Sequence, residues 1–191
     1  LNQKFPWFDD NLRVAFVREM ELFLDAQLKE NRSVVDLLTS DQTFLNQQLA
    51  RHYGVAGVYG SHFRRVTLAD EARRGLLGKG GILLLTSHAD RTSPVARGRC
   101  IVENLMGLSV PPPPADMPPL PEETPGVPQT VRARMDQQRA NPACAGCHRV
   151  MDPLGFSLEN FDGIGEWRAK EPGGRIDPSG QLADGSVVDE V

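Results

Sequence analysis

The chain contains, at residues 144–148, the run Cys144-Ala145-Gly146-Cys147-His148, and the interpretation of the fold depends on this stretch. Two cysteines separated by two residues and followed by a histidine form the covalent attachment motif of a c-type haem. The two thiols add to the vinyl groups of one porphyrin, which holds the ring beside the histidine, the proximal ligand of the iron. We therefore expect Cys144 and Cys147 to bind one haem covalently and His148 to ligate its iron.

A ligating imidazole also needs a hydrogen bond on its second ring nitrogen, because this bond fixes the orientation of the ring. The segment Met151–Phe156 follows the motif closely. We expect a carbonyl of this segment to accept the bond from His148.

Two other kinds of site use the same residue types. A structural zinc site usually has four ligands, whereas Cys100 is remote, and no second histidine follows His148 at zinc-finger spacing. A thioredoxin-like pair requires a βαβ context, but the flanking sequence is rich in proline and helical in pattern. The motif therefore favours haem, with zinc or a plain disulfide as the alternatives.

Composition limits the class of protein. The 191 residues, of which 40% are hydrophobic, suffice for one ordinary domain or two small ones. The net charge of -4 argues against nucleic acid as a partner. The first residues do not form a signal peptide, and no run has the length of a transmembrane helix. Because haem of this type is attached outside the cytoplasm, we expect a processed chain or a piece of a longer one.

The apolar pattern predicts a mainly α, loop-rich protein. Residues 9–29 have the spacing of an amphipathic helix, and a second helix is predicted from Asp41, as N-cap, to Gly54, giving an α-hairpin. The predicted inner stripe of the first helix consists of Leu12, Phe16, Met20, Phe23, Leu24 and Leu28. Residues 55–86 are predicted to be mostly irregular, with 82–85 as a short buried strand.

Further along the chain, Ser93-Pro94 is a strong helix start, and Cys100 lies on the stripe predicted to be buried, up to Gly107. Residues 111–128 are so rich in proline that we expect an extended connector. A short helix over 129–139 is then predicted to lead into the cysteines. The turn signals at 177–180 and 184–185 predict a small C-terminal β-hairpin.

Several short stretches, in the same order, resemble the planctomycete-type multidomain cytochromes, whose modules are domains of unknown function. The strongest matches are Pro142–His148, Met151–Phe156 and Glu159–Gly165. The others are Phe5–Asp9, Asp41–Asn46, Ala50–Gly54, Arg73–Leu77, Arg91–Gly98 and Pro111–Pro114. One departure is Gln138, where the family often has a histidine.

The resemblance implies three modules and a fragment of a larger extracytoplasmic protein. Residues 1–67 would be the helical end of one module, residues 68–155 a Pro-strapped module with the haem motif, and residues 156–191 the start of a truncated module. We expect a periplasmic or otherwise extracytoplasmic location, with membrane association through a partner. The expected partners are redox proteins and other subunits of such a complex.

The sequence leaves the second axial ligand open. Methionine raises the potential of a haem and suits electron transfer, histidine lowers it, and an open position allows small molecules or peroxide to react. Met135 is our first candidate because its helix leads to the motif, although a methionine at helical spacing is often a core residue. Electron transfer is the predicted function. The alternatives are a peroxidase-like or oxidase-like haem enzyme and a structural or docking subunit stapled by its haem.

Overall fold

The computed structural model of the chain describes residues 4–112, 128–139, 142–182 and 184–189. Helices predominate in this part, together with three small two-stranded antiparallel sheets, which confirms the mainly α class. The helices are α1 (Asp10–Lys29), α2 (Asp36–Thr39), α3 (Gln47–His52), α4 (Gly80–Leu85), α5 (Pro94–Asn104), α6 (Val131–Arg139) and α7 (Pro142–Phe156), with a 3₁₀ turn at Glu71–Arg73. No described helix combines the length and the apolar character needed to cross a bilayer.

The chain forms two compact units. The first comprises the residues up to Thr92 together with Phe161–Trp167, and the second comprises Ser93–Asn160 and the residues from Arg168 onward. These units are defined by their internal contacts. The division into three modules at 67 and 155 stays a prediction.

Helix α1 of the first unit begins as predicted, because Asp9 accepts a hydrogen bond from the backbone N–H of Leu12 at 2.8 Å. The predicted inner stripe is wrong at its C-terminal end, where Leu24 is 40% and Leu28 82% exposed. Glu19 is buried instead. Its carboxylate accepts hydrogen bonds from Thr43 at 2.5 Å and from Tyr53 at 2.6 Å, and these bonds offset the loss of hydration. Burial raises the pKa of Glu19.

The predicted α-hairpin is wrong, because Asp41 does not cap a helix. Residues Gln42–Leu45 form strand β1, which pairs antiparallel with β2 (Arg64–Thr67). The strand alternates, with Thr43 and Leu45 buried, as a half-buried strand requires. Helix α3 begins afterwards, where Asn46 accepts a hydrogen bond from the backbone N–H of Leu49.

The strand predicted at 82–85 is also wrong. Residues Gly80–Leu85 form helix α4, which contacts α1 and buries Gly80 and Leu83. An apolar run of four residues fits either a buried strand or one turn of a helix, and periodicity does not separate the two. A Cβ on Gly80 would lie 2.3 Å from the ring of Phe16, so glycine permits the close contact with α1.

Helices α5 and α7 form the centre of the second unit. Helix α5 starts as predicted, with Ser93 accepting from the backbone N–H of Ala96 and proline in the first turn. Two glycines lie where the helices touch. A Cβ on Gly98 would lie 1.9 Å from the carbonyl oxygen of Met151, and one on Gly155 would lie 1.9 Å from that of Pro94. The absence of a side chain at both positions therefore lets the two backbones meet directly.

The C-terminal part contains two small ladders. Strand β3 (Lys170–Glu171) pairs with β4 (Gly174–Arg175), and β5 (Gly180–Gln181) pairs with β6 (Val187–Val188). The second ladder reverses around the 184–185 signal, whereas the 177–180 signal precedes it. Most of the predicted proline connector, residues 113–127, lies outside the described residues.

Candidate functional site

Helix α7 carries the whole C-x-x-C-H run within regular helix. Cys144, Cys147 and His148 occupy positions i, i+3 and i+4, which share one face of an α-helix. This face is turned inward, since Cys144 is 3% and His148 7% exposed and Cys147 is half-buried. Ala145 and Gly146 lie on the exposed side. The fold therefore presents both thiols and the imidazole on one surface of one rigid element.

The imidazole of His148 is oriented by Asp152, one turn further along α7. Its Nδ1 lies 2.9 Å from Oδ1 and 3.1 Å from Oδ2 of the carboxylate, which is completely buried. An ionised carboxylate only accepts hydrogen bonds, so Nδ1 carries the proton and donates it. The segment that provides the acceptor is the predicted one. The expected carbonyl is replaced by a side-chain carboxylate.

This hydrogen bond leaves the other ring nitrogen of His148 available. In a neutral imidazole with its proton on Nδ1, Nε2 has a lone pair, and no described residue forms a hydrogen bond to Nε2 of His148. A ligating histidine usually donates its non-ligating N–H to a carboxylate or carbonyl in this way. The tautomer and the two thiols on the same face fit the requirements of a thioether-linked haem.

The carboxylate of Asp152 also has a cationic partner. Arg139, the last residue of α6, lies with its Nε 3.7 Å from Oδ2 of Asp152 and also pairs with Asp136. A fully buried carboxylate needs such compensation, because burial removes its hydration. His148 thus donates a hydrogen bond to Asp152, and Asp152 in turn pairs with Arg139.

Met135, the predicted distal ligand, lies on α6, which packs against α7. It is fully buried in a small apolar cluster with Val131 and Phe156, and Val95 packs on the cluster. A core methionine has the same surroundings. Its role as a ligand stays a prediction.

The described residues around the motif form neither a metal-binding group nor a disulfide. Within the described ranges, no three His, Cys, Asp or Glu side chains form a group that could hold a metal ion. Cys100, Cys144 and Cys147 form no disulfide there. The three motif residues share a face of α7 without converging on one point.

A second polar cluster lies in the first unit. The Nε2 of His52 donates to the carbonyl oxygen of Ile164 at 2.8 Å, and Nδ1 lies 3.3 Å from Glu166. Both residues line a cleft of about 690 Å³, at whose mouth Trp7 donates to Glu166. Burial lowers the pKa of His52 to about 4.

The chain matches two known families. Residues 73–171, more than half of the chain and including all of α7, match the family PSCyt3, described as a protein of unknown function (DUF1588). The chain belongs to the DUF1588 family. Residues 2–55 match a second family, PSD4, described as a protein of unknown function (DUF1592). No curated protein and no solved structure matches this DUF1588 member.

Two residues of the site were missed at the level of sequence. Asp152 is four residues beyond His148, a spacing that joins side chains on a helix. Pro153 hides this signal, because a proline predicts that a helix ends at or before the preceding residue. Helix α7 of this DUF1588 chain nevertheless continues through Pro153 to Phe156. Arg139 has no sequence signal, since it reaches Asp152 from another helix.

Proposed function

We propose that the chain is an electron-transfer module that binds one haem c covalently within a larger extracytoplasmic protein. The observation that carries the proposal is the arrangement on α7, where two thiols and a histidine share a face and the Nδ1 of His148 is bonded to Asp152. In the attachment, each thiol of Cys144 and Cys147 adds across one vinyl group, so that a C–S bond forms, the thiol hydrogen moves to the neighbouring carbon, and nothing is released.

The bound group supplies reversible one-electron chemistry, in which iron passes between the ferric and ferrous states. The residues of α7 would hold and orient this group. Cys144 and Cys147 fix the position, and His148 provides a neutral Nε2 whose direction is held by the buried carboxylate. The expected partners are a one-electron donor protein and a one-electron acceptor protein. Nucleic acid is not an expected partner.

The test is expression with a haem c maturation system in an extracytoplasmic compartment, followed by a pyridine assay for thioether-linked haem. We expect one haem per chain, cycled by ascorbate and ferricyanide. Loss of the second cysteine in Cys147→Ser should reduce the linkage to one thioether, and the Cys144→Ser/Cys147→Ser double variant should hold none. Cys100→Ser is the matched control and should bind haem like the parent chain. A parent chain without linked haem would overturn the proposal and return the cysteines to zinc or disulfide chemistry.

A second candidate, a haem enzyme of peroxidase or oxidase type, is favoured by the same Asp152. A more basic proximal ligand pushes electron density toward the iron, which assists O–O cleavage when the sixth position is open. Carbon monoxide separates the two functions. An electron carrier with Met135 as its ligand should bind carbon monoxide slowly and show a ferric methionine charge-transfer band that Met135→Leu abolishes. Rapid binding together with peroxide consumption would support the enzyme.

A further inference from the structure

The contacts from His148 to Asp152 and from Asp152 to Arg139 have a consequence for the reduction potential of the haem iron, provided that the proposed haem binding holds. We infer that Asp152 and Arg139 act as positioning residues that tune His148 in opposite directions. Asp152 lowers the reduction potential of the iron, and Arg139 raises it. The inference stands on the geometry of three side chains.

Asp152 is a strong hydrogen-bond acceptor for His148. Asp152 offers both carboxylate oxygens to Nδ1, at 2.9 and 3.1 Å, in a site from which water is excluded. A hydrogen bond to an ionised acceptor is about twice as strong as one between neutral groups. A stronger pull on the Nδ1 proton leaves more electron density at Nε2 and makes the imidazole a more basic ligand. A more basic ligand stabilises ferric over ferrous iron, so the potential falls.

Arg139 brings a positive charge close to this acceptor. The Nε of Arg139 lies 3.7 Å from Oδ2, the oxygen that forms the longer of the two bonds with Nδ1. A positive charge at this distance draws electron density of the carboxylate away from the imidazole, and the low dielectric of the buried site makes the effect larger than in water. Arg139 therefore weakens the acceptor and raises the potential. Its side chain is 29% exposed, which makes it the easier of the two residues to replace without unfolding.

A purely structural role predicts something else. If Asp152 only holds the ring in place, then Asp152→Asn, whose amide oxygen still accepts from Nδ1, should leave the potential unchanged. If the charge matters, the same variant should raise the potential. The opposite sign expected for Arg139→Gln excludes general loosening of the site, because a loosened site has no reason to respond in two directions.

The experiment is a spectroelectrochemical titration at fixed pH of the haem-loaded parent chain, Asp152→Asn and Arg139→Gln. Each molecule takes up one electron from the electrode, and no covalent bond forms or breaks. The matched control is Glu159→Gln, which removes another buried carboxylate of the second unit, one paired with Arg168 and not with His148. We expect a higher potential for Asp152→Asn, a lower one for Arg139→Gln and a smaller change for the control.

The outcomes separate this inference from the proposed function. A parent chain without thioether-linked haem defeats the proposed function, as described above. Linked haem with unchanged potentials, or with shifts of the same sign in both variants, defeats the inference and leaves the haem intact. If Asp152→Asn does not fold, Arg139→Gln decides alone, because an unchanged or raised potential in that variant contradicts the inference.

Discussion

Replacement of Gly98 by alanine should destabilise the second unit strongly, because the added Cβ would lie 1.9 Å from the carbonyl oxygen of Met151. An ordinary van der Waals contact needs a separation of about 3.4 Å or more, so the helices must move apart by more than 1 Å at their crossing, and neither backbone can rotate away as a side chain does. Overpacking of this kind costs typically about 1–3 kcal/mol. Because the clash is with a backbone carbonyl, Gly98→Ala belongs at the upper end of this range. The helix propensity of alanine returns about 1 kcal/mol, so a net loss of about 2 kcal/mol is expected.

The matched control is Gly146→Ala on α7, where a Cβ meets nothing within 4 Å. This variant should gain about 0.5–1 kcal/mol, since alanine loses less backbone entropy than glycine in a helix. The assay is urea unfolding of the full chain followed by the far-ultraviolet circular dichroism of its helices. Equal midpoints for the parent chain and Gly98→Ala would refute the close crossing of α5 and α7. Under the proposed function, the haem content of the purified variant then shows whether a displaced α7 still binds the proposed haem.

Two further predictions concern buried charge. Because the pKa of His52 is lowered to about 4, the unfolded chain binds more protons at this residue between pH 6.5 and about 4. The contribution of His52 to stability therefore falls by about 3 kcal/mol at most as the pH falls through this interval. His52→Gln should remove this contribution from the unfolding profile, the exposed His62→Gln should not, and parallel profiles for His52→Gln and the parent would contradict the reasoning. Arg97 is buried, donates to a backbone carbonyl at 2.6 Å and lies 3.8 Å from Glu159, so Arg97→Met should lower the free energy of unfolding in urea by about 3 kcal/mol. The half-exposed Arg99 lies on the same helix, and Arg99→Met should cost less than about 1 kcal/mol. A similar loss in both variants would show that the burial of Arg97 is unimportant.

The sequence predicted those elements whose signals are local. Helix α1 has its cap at Asp9, α5 has Ser93 followed by proline, and α6 has Val131 and Met135 at helical spacing, both of which are buried. In each of these, a capping side chain or a helical period acts within a few residues of the element itself. The starts of all three could therefore be predicted to within about two residues, whereas the predicted buried stripe of α5 extended to Gly107 and the helix ends at Asn104.

The failures occurred where a distant partner decides the local structure. Residues 42–45 form a strand because they pair with residues 64–67, which no local signal announces. Glu19 is buried because Thr43 and Tyr53 come from other elements to bond with it. A polar residue on a predicted helix is normally placed outside, and only knowledge of its partners reverses that expectation.

The candidate site divides in the same way. A fixed spacing singles out the two cysteines and the histidine, whose role as a haem site stays a prediction. The acceptor for His148 could not be found in this way, because it depends on whether α7 continues through Pro153. Proline removes one backbone N–H and obstructs the carbonyl four residues earlier, here that of Arg149. Arg149 is exposed, and helix α7 continues through Pro153 to Phe156 despite the loss of this bond.

The continuation of α7 through Pro153 has a physical consequence for the site. A carbonyl acceptor belongs to the backbone, and no substitution changes its charge. The acceptor in this chain is a side chain on the same helix as the ligand, so its distance from His148 is fixed by helical geometry while its charge depends on Arg139 from α6. A small displacement of α6 would change the distance between guanidinium and carboxylate without moving the imidazole. The orientation of His148 is thus set within α7, whereas the charge of its acceptor also depends on a residue of α6, and under the proposed function these two contacts would act on the same haem iron.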